Sequence, residues 1–199
     1  MRWMMMTNEE VEAVSFEVLT KYVKRGGAYK AFQEIMTAMQ IKFREVATAE
    51  DSFLGALTAG NNGTRYIMIN KNIDNEGRKN FTIAHELGHH FLQHDLHSNN
   101  LFCTEDAISE NKYLKDPIER EANYFATCLL MPAETVKSAF LACLGNSHKA
   151  KIKDFLHVKN DYTFGIWKPI CSNLTKRYGV SEAALRFRLQ GLQLAKFDF

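Results

Sequence analysis

Apolar residues recur at helical spacing through the N-terminal part of the chain. They lie three or four positions apart between Val11 and Met39, as expected for the buried side of a helix. The adjacent glycines at 26 and 27 interrupt this run and favour a turn. The pattern therefore predicts two helices with these residues facing the core: Val11, Val14, Val18, Leu19 and Tyr22 in the first, and Phe32, Ile35, Met36 and Met39 in the second.

After Met39 the spacing changes to that of strands. Residues 41–46 predict a first strand, and residues 53–59 and 65–70 predict a β-hairpin around the turn sequence Gly60-Asn61-Asn62-Gly63. We expect a small three-stranded antiparallel sheet. Its edge is suited to binding an extended peptide by strand addition, although the sheet would also serve simply to cover the helix that follows.

Residues 81–94, FTIAHELGHHFLQH, predict one helix with two different sides. Because successive helical residues turn by about 100°, His85, Glu86 and His89 share one side. A broad apolar arc fills the other side: Ile83, Ala84, Leu87, Gly88, Phe91 and Leu92. The same angles place His90 and His94 away from the His85/His89 side. A helix of this kind is typical of the wall of an active site.

The remaining chain predicts mainly helices. Residues 94–115 are polar and aperiodic, which indicates a long loop that borders a substrate cleft. Helices are predicted for residues 117–131, between Asp116 as N-cap and Pro132 as terminator, and for residues 133–144, ended by Gly145. The basic stretch 147–159 is better explained as a solvated helical face than as a nucleic-acid patch.

The C-terminal tail has the outline of a helix-turn-helix at residues 174–192. Two helices would meet at Gly179, with Ser181 as the second N-cap. Val180, Ala184, Leu185 and Leu189 are predicted to face inward, and Arg186, Arg188 and Gln190 outward. We therefore predict an α+β domain over residues 1–145 and a helical C-terminal element over residues 146–199, packed on the same core.

Composition narrows the functional class only slightly. A length of 199 residues, 46% hydrophobic and 24% charged, suits one globular domain with a small appendage. A net charge of +2 does not argue for nucleic acid. The four scattered cysteines favour a reducing compartment, no segment resembles a signal peptide, and no apolar run approaches membrane-spanning length. We expect a cytoplasmic protein without a membrane partner.

The candidate chemistry is in the pattern H-E-x-x-H formed by His85, Glu86 and His89. Histidines one helical turn apart can place two imidazole nitrogens on one zinc ion, each at about 2.0–2.1 Å. Glu86 lies at the flank of the same side, where it can accept a proton from water during hydrolysis. A surface helix rich in histidine is the alternative, and the wide apolar arc argues against it.

Two motifs together resemble the ImmA/IrrE family of metallopeptidases. They are HELGHH, which begins at His85, and E-x-E-A-N-x-F-A-x-x-L-L-M-P, which begins at Glu119. The resemblance covers residues 41–132 strongly and implies a gluzincin-like protease with one zinc ion held by His85, His89 and Glu119, and Glu86 as general base. It also implies a cytoplasmic bacterial, phage or mobile-element protein. Some relatives cleave a helix-turn-helix repressor, and that substrate is implied by the resemblance alone.

Three alternatives compete with Glu119 for the third ligand position. Asp95 would need a glycine at position 92 to turn the chain, and that residue is Leu92. Helical angles place Glu121 at the far margin of the apolar stripe, whereas Glu119 lies within it, where a carboxylate is costly without a cation. In the third alternative, Glu119 is not a ligand and serves only to cap its helix, in a capping box with Asp116. We favour Glu119, with Asn123 one turn on as the partner of a ligand histidine.

The sequence thus predicts an α+β zinc endopeptidase that acts on a protein substrate, with residues 1–145 as a zincin-like metallopeptidase domain. An oxyanion donor is also needed, and Tyr113 is a weak candidate. The alternative from another class is a DNA-binding transcription regulator with a structural or vestigial zinc site. Glu86 argues against that alternative, because a structural site needs no base beside its ligands. We expect DNA not to be a partner, since the tail has only a modest basic excess.

Overall fold

A computed structural model of the chain describes residues 5–24, 26–50, 52–60, 62–94, 100–104, 116–152 and 155–198, with backbone alone at 100–104 and 146–152. Within these residues the helices are α1 (Asn8–Tyr22), α2 (Phe32–Ala38), α3 (Glu76–Phe91), α4 (Pro117–Leu130), α5 (Ala133–Ile152), α6 (Asp161–Tyr178) and α7 (Glu182–Gly191), with a 3₁₀ turn at Ala28–Ala31. The strands are β1 (Lys42–Val46), β2 (Phe53–Ala59), β3 (Arg65–Asn70), β4 (Asn100–Thr104), β5 (Leu156–Val158) and β6 (Ala195–Phe197). The predicted α+β class is confirmed.

The main sheet differs from the prediction in both size and direction. It has four strands in the order β1-β3-β2-β4, not three, and it is mixed rather than antiparallel. The β2–β3 hairpin forms as predicted, with Leu57 opposite Ile67. That pairing leaves the outer edge of β3 for β1, which runs parallel to β3 with Phe43 opposite Ile67. The prediction that all strands of this sheet run antiparallel is therefore wrong for β1.

The fourth strand lies within the loop predicted over residues 94–115. β4 pairs antiparallel with β2, with Leu101 opposite Leu57. It was missed because only three apolar residues, Leu101 to Cys103, lie between polar residues, and an apolar run this short does not identify a strand. Residues 95–99 and 105–115 of the predicted loop lie outside the described residues. Since β4 pairs with the outer edge of β2, the outer strands of the main sheet are β1 and β4. An extended peptide could add to the sheet only beside one of these two strands.

Helix α3 begins earlier and ends earlier than predicted. Asn75 caps its N-terminus by accepting a hydrogen bond from the Arg78 backbone N–H at 2.9 Å. The helix ends at Phe91, because Gln93 adopts a left-handed conformation with φ of 61°. The prediction that residues 81–94 form one continuous helix is therefore wrong for its last three residues, and His94 does not follow the helical angles that we assigned to it.

The C-terminal helices confirm the predicted turn. Gly179 takes φ of 64° at the end of α6, a left-handed conformation that glycine adopts without steric cost, and Ser181 caps α7. Two features differ from the prediction. β5 and β6 form a parallel two-stranded sheet where only helices were expected. Arg188, predicted to face outward, is 4% exposed, whereas Phe187 is exposed.

One hydrophobic core runs through both parts of the chain that we distinguished by sequence. Leu87 and Phe125 belong to the same buried cluster as Trp167 and Leu189. The boundary between residues 145 and 146 stays a prediction; helix α5 changes direction there, because Gly145 has a non-helical conformation. Among the described residues no single helix is long and apolar enough to cross a membrane; α4 and Ala133–Gly145 meet that test only as a pair bent by 53°.

Candidate metal centre

His85 and His89 face each other on the buried side of α3. Their Nε2 atoms are 2.9 Å apart, and the two residues are 0% and 1% exposed. This proximity follows from their spacing, since residues i and i+4 project from one face of a helix. Residues 81–89 of α3 are all buried, so this helix buries its polar side as well as its apolar side.

Glu119 meets these two histidines from helix α4. Its Oε2 lies 3.2 Å from His85 Nε2, and its Oε1 lies 3.4 Å from His89 Nε2. The close approach of the two helices depends on Gly88, where an added Cβ would come within 3.0 Å of the Ala122 carbonyl oxygen. The three candidate donor atoms lie within 4.8 Å of one another, and all three residues are buried, which is a group compatible with a metal ion.

The rival assignments for the third position can be compared with this geometry. Glu121 is not in the three-residue group; it is 3% exposed and contacts His94 instead. Its burial was not foreseen, because it depends on distant residues: α1 packs against α4, and the Met6 backbone N–H before α1 donates to Glu121. Asp116 caps α4 by accepting from the Ile118 backbone N–H, and the Glu119 carboxylate is directed to the histidines. Asp95 lies outside the described residues, as does Tyr113.

Both histidines contact a partner behind the candidate metal position. His85 Nδ1 is 2.9 Å from Asn123 Oδ1, which is the contact predicted for Asn123. His89 Nδ1 is 3.0 Å from His94 Nδ1, and this second contact was missed. The contact was missed because residues 81–94 were predicted to form one continuous helix, whereas α3 ends at Phe91. His90, by contrast, lies beside Arg65, with 3.2 Å between Arg65 Nη1 and His90 Nδ1.

Glu86 is fully buried beside the same group. Among the described residues, neither of its carboxylate oxygens has a hydrogen bond of acceptable geometry, and the same is true of Oε2 of Glu119. Burial raises the pKa of Glu86 to about 8; His85 and, more weakly, the Leu57 backbone N–H act in the opposite direction, and Glu119 acts in the same direction. A buried carboxylate without a well-formed hydrogen bond is costly unless a cation lies nearby, so this arrangement fits a bound cation.

The pKa values of two candidate ligands, Glu119 and His89, are shifted towards the forms that bind a metal. Burial alone would raise the pKa of Glu119, but the neighbouring imidazoles of His85 and His89 outweigh it and hold this pKa well below its usual range. Burial lowers the pKa of His89 to about 4, against the opposing effect of Glu119. Both shifts favour the forms in which a carboxylate and an imidazole bind a metal, the ionised Glu119 and the neutral His89.

Comparison with known proteins agrees with the two motifs and the buried site. The profile of the IrrE N-terminal-like domain matches residues 36–190. The chain belongs to this family, which includes the ImmA-type metallopeptidases. The matched region contains the main sheet, α3, α4 and most of the C-terminal helix pair, which consists of α6 and α7. The family assignment therefore covers the entire candidate metal centre of this IrrE-like chain.

Two individual relatives match the IrrE-like chain over about half of their own length. It is 33% identical over 97 residues to the metallopeptidase ImmA of Bacillus subtilis (strain 168), a match that covers 49% of this chain and 52% of that protein. It shares its fold with a Mycobacterium tuberculosis transcriptional regulator, with a TM-score of 0.55 and 16% identity over 92% of this chain and 46% of the regulator. The chain thus spans about half the length of the proteins it matches.

Proposed function

We propose that this chain is a zinc-dependent endopeptidase that hydrolyses peptide bonds in a protein substrate. His85, His89 and Glu119 would hold one zinc ion, and Glu86 would act as general base. Three protein ligands of the His₂Glu type, with a further coordination position left open, are characteristic of catalytic rather than structural zinc sites. The observation that carries the proposal is that the carboxylate of Glu86 is buried beside these three groups without a well-formed hydrogen bond from the described residues.

Each residue of the site has a distinct task in this mechanism. The zinc ion, when bound, supplies a Lewis acid that polarises the scissile carbonyl. Glu86 accepts a proton from the attacking water and delivers it to the leaving amine. The positive charge beside Glu86 opposes the effect of burial on its pKa and favours the ionised form that a base needs. His85 and His89 present Nε2 inward, because their Nδ1 atoms contact Asn123 and His94.

We extend the proposal to a class of substrate, a helix-turn-helix repressor of a phage or mobile element, and to a cytoplasmic location. The support for both is the family resemblance. Under this proposal the chain acts on DNA only indirectly, by removing a protein that binds it. Arg188 supports this view, since it donates hydrogen bonds to the Met131 carbonyl and to Glu12 inside the protein and is withdrawn from any DNA surface.

The test is to compare protein ends in cells that express the wild-type chain or the Glu86→Gln variant. Mass spectrometry of newly formed N-termini should identify cleavage sites that occur only with the wild type. Purified wild type should contain about one zinc ion per chain, and chelation should stop cleavage of the same site in vitro. Wild-type protein with bound zinc and no cleavage sites beyond those of the variant would contradict the peptidase proposal and favour a structural zinc site in a regulator.

A further inference from the structure

A chain of buried polar groups extends behind His89, away from the candidate metal position. His89 Nδ1 lies 3.0 Å from His94 Nδ1, and His94 Nε2 lies 3.1 Å from Glu121 Oε2. The other carboxylate oxygen, Glu121 Oε1, accepts a hydrogen bond from the Met6 backbone N–H at 2.9 Å. His94 and Glu121 are 1% and 3% exposed. This series of polar contacts therefore connects α3, the turn after it, α4 and the segment before α1.

These contacts determine which ring nitrogen of His94 and of His89 carries the hydrogen. The Glu121 carboxylate can only accept, so the hydrogen at its contact with His94 belongs to His94 Nε2. A neutral His94 then has a lone pair at Nδ1, and the hydrogen between the two rings belongs to His89 Nδ1. His89 is left with a bare Nε2, which is the atom that lies 3.4 Å from Glu119 and 2.9 Å from His85 Nε2.

The backbone holds this chain of groups in place from both ends. The left-handed conformation of Gln93 reverses the chain after α3 and returns His94 to a position behind His89. Glu121 is fixed by α4 and by the Met6 N–H, directly before the capping box that starts α1 at Thr7. Neither His94 nor Glu121 lies in the group of three candidate ligands. Their burial without a ligand role is what needs an explanation.

We propose that His94 and Glu121 are positioning residues that hold His89 in the Nδ1–H tautomer with Nε2 directed to the metal. The inference rests on the proposed zinc site. Partners of this kind fix ring orientation and make the ligand nitrogen more basic, and their loss typically lowers metal affinity about 10–100-fold. His85 has a neutral partner, Asn123, whereas His89 is linked through His94 to a carboxylate, so the two ligands are supported by different chemistry.

The first measurement is the zinc dissociation constant of purified protein, by competition with a chromophoric chelator. His94→Ala should bind zinc about 10–100-fold more weakly than wild type. His94→Asn should fall between the two, because the amide oxygen can still accept from His89 Nδ1–H while Glu121 loses its donor. Glu121→Gln should also weaken binding, since an amide cannot accept at both ends. The control is His157→Asn, which removes a partly exposed histidine of β5 whose imidazole contacts Asp198.

The second measurement is the tautomer of His89 by long-range ¹H–¹⁵N correlation NMR, in metal-free and zinc-loaded protein. Wild type should show the Nδ1–H form in both, and His94→Ala a mixture of tautomers without zinc. If His94→Ala fails to fold, His94→Asn and Glu121→Gln provide the same test.

Folded variants that bind zinc within about threefold of wild type and keep a single Nδ1–H form would overturn the inference. Wild type that binds no zinc would instead overturn the proposed function, and the tautomer in metal-free protein would still test the positioning role.

Discussion

The metal centre and the C-terminal helix pair both bury charged side chains, but they differ in whether those charges are satisfied by the protein. In the helix pair, the buried Arg188 guanidinium donates to the Met131 carbonyl and to the Glu12 carboxylate. In the metal centre, both oxygens of Glu86 are buried without a well-formed hydrogen bond from the described residues. The helix pair has the polar contacts of a structural interior, whereas the metal centre has those of a site that needs another group.

This difference separates two kinds of buried charge that composition alone cannot separate. A buried charge with protein partners stabilises the fold or is neutral to it, and removing one partner costs stability. A buried carboxylate without a well-formed hydrogen bond costs stability in the free protein and is retained for chemistry. Mutations in the two regions should therefore have opposite signatures: loss of activity at constant stability in the metal centre, and loss of stability at constant activity in the helix pair.

The largest expected effect is that of Glu86→Gln on proteolysis. The substitution removes the base and leaves His85, His89 and Glu119 in place, so cleavage should fall by at least about 100-fold. Zinc content and thermal stability should be equal to or above those of wild type, because a neutral amide replaces a buried carboxyl group without a well-formed hydrogen bond in the described part of the chain. Cleavage of a true substrate within about tenfold of wild type would remove Glu86 from the mechanism.

Next in size is the loss of zinc from Glu119→Ala, with Glu121→Ala as the matched variant on the same helix. Glu119→Ala removes a candidate ligand and should reduce zinc affinity more than the 10–100-fold expected for a residue behind the ligands. Glu121→Ala should retain zinc with weakened affinity. Elemental analysis after dialysis against a chelator measures both. A folded Glu119→Ala protein with full zinc affinity, beside a Glu121→Ala protein without zinc, would reverse the assignment of the two glutamates.

A smaller effect, confined to stability, is expected for Arg188→Met. The change leaves the Met131 carbonyl and Glu12 without the Arg188 donor and should lower the free energy of unfolding by about 1–3 kcal/mol. The exposed Lys176→Met, on the preceding helix, is the control and should stay within about 0.5 kcal/mol of wild type. Urea denaturation measures both changes. Normal stability with altered cleavage in Arg188→Met would place this residue in substrate recognition instead.

The smallest expected effect is on DNA binding by the isolated chain. Of the basic residues in the predicted helix-turn-helix, Arg188 is buried and Arg186 lies over the Phe197 ring, 4.7 Å from its centroid. Any DNA affinity should therefore stay in the nonspecific range, about 10⁻⁴–10⁻⁶ M, and fall steeply with salt. Replacing Lys176 and Arg177 by alanine should leave proteolysis unchanged. Tight, sequence-specific binding at physiological salt would favour the regulator alternative and make the helix pair the functional region.

Local sequence was sufficient for the elements whose signals lie within a few residues. The β2–β3 hairpin, the capped start of α4 at Asp116 and the Gly179 turn were all predicted, because turn and cap preferences act over neighbouring residues. The same reasoning identified His85, Glu86 and His89 as one group, since helical spacing alone brings them together. It also favoured Glu119 through its place in an apolar stripe, and in the structure its carboxylate lies beside both histidines.

Tertiary packing decided what local signals could not. The parallel pairing of β1 with β3 depends on which strand edge is free after the hairpin forms, and the burial of Glu121 depends on α1 packing beside α4. The contact of His94 with His89 depends on a helix end at Phe91 and a reversed backbone at Gln93. The sequence determined which side chains could bind a metal, whereas long-range contacts determined which buried groups stand behind them, because those contacts join residues that are far apart along the chain.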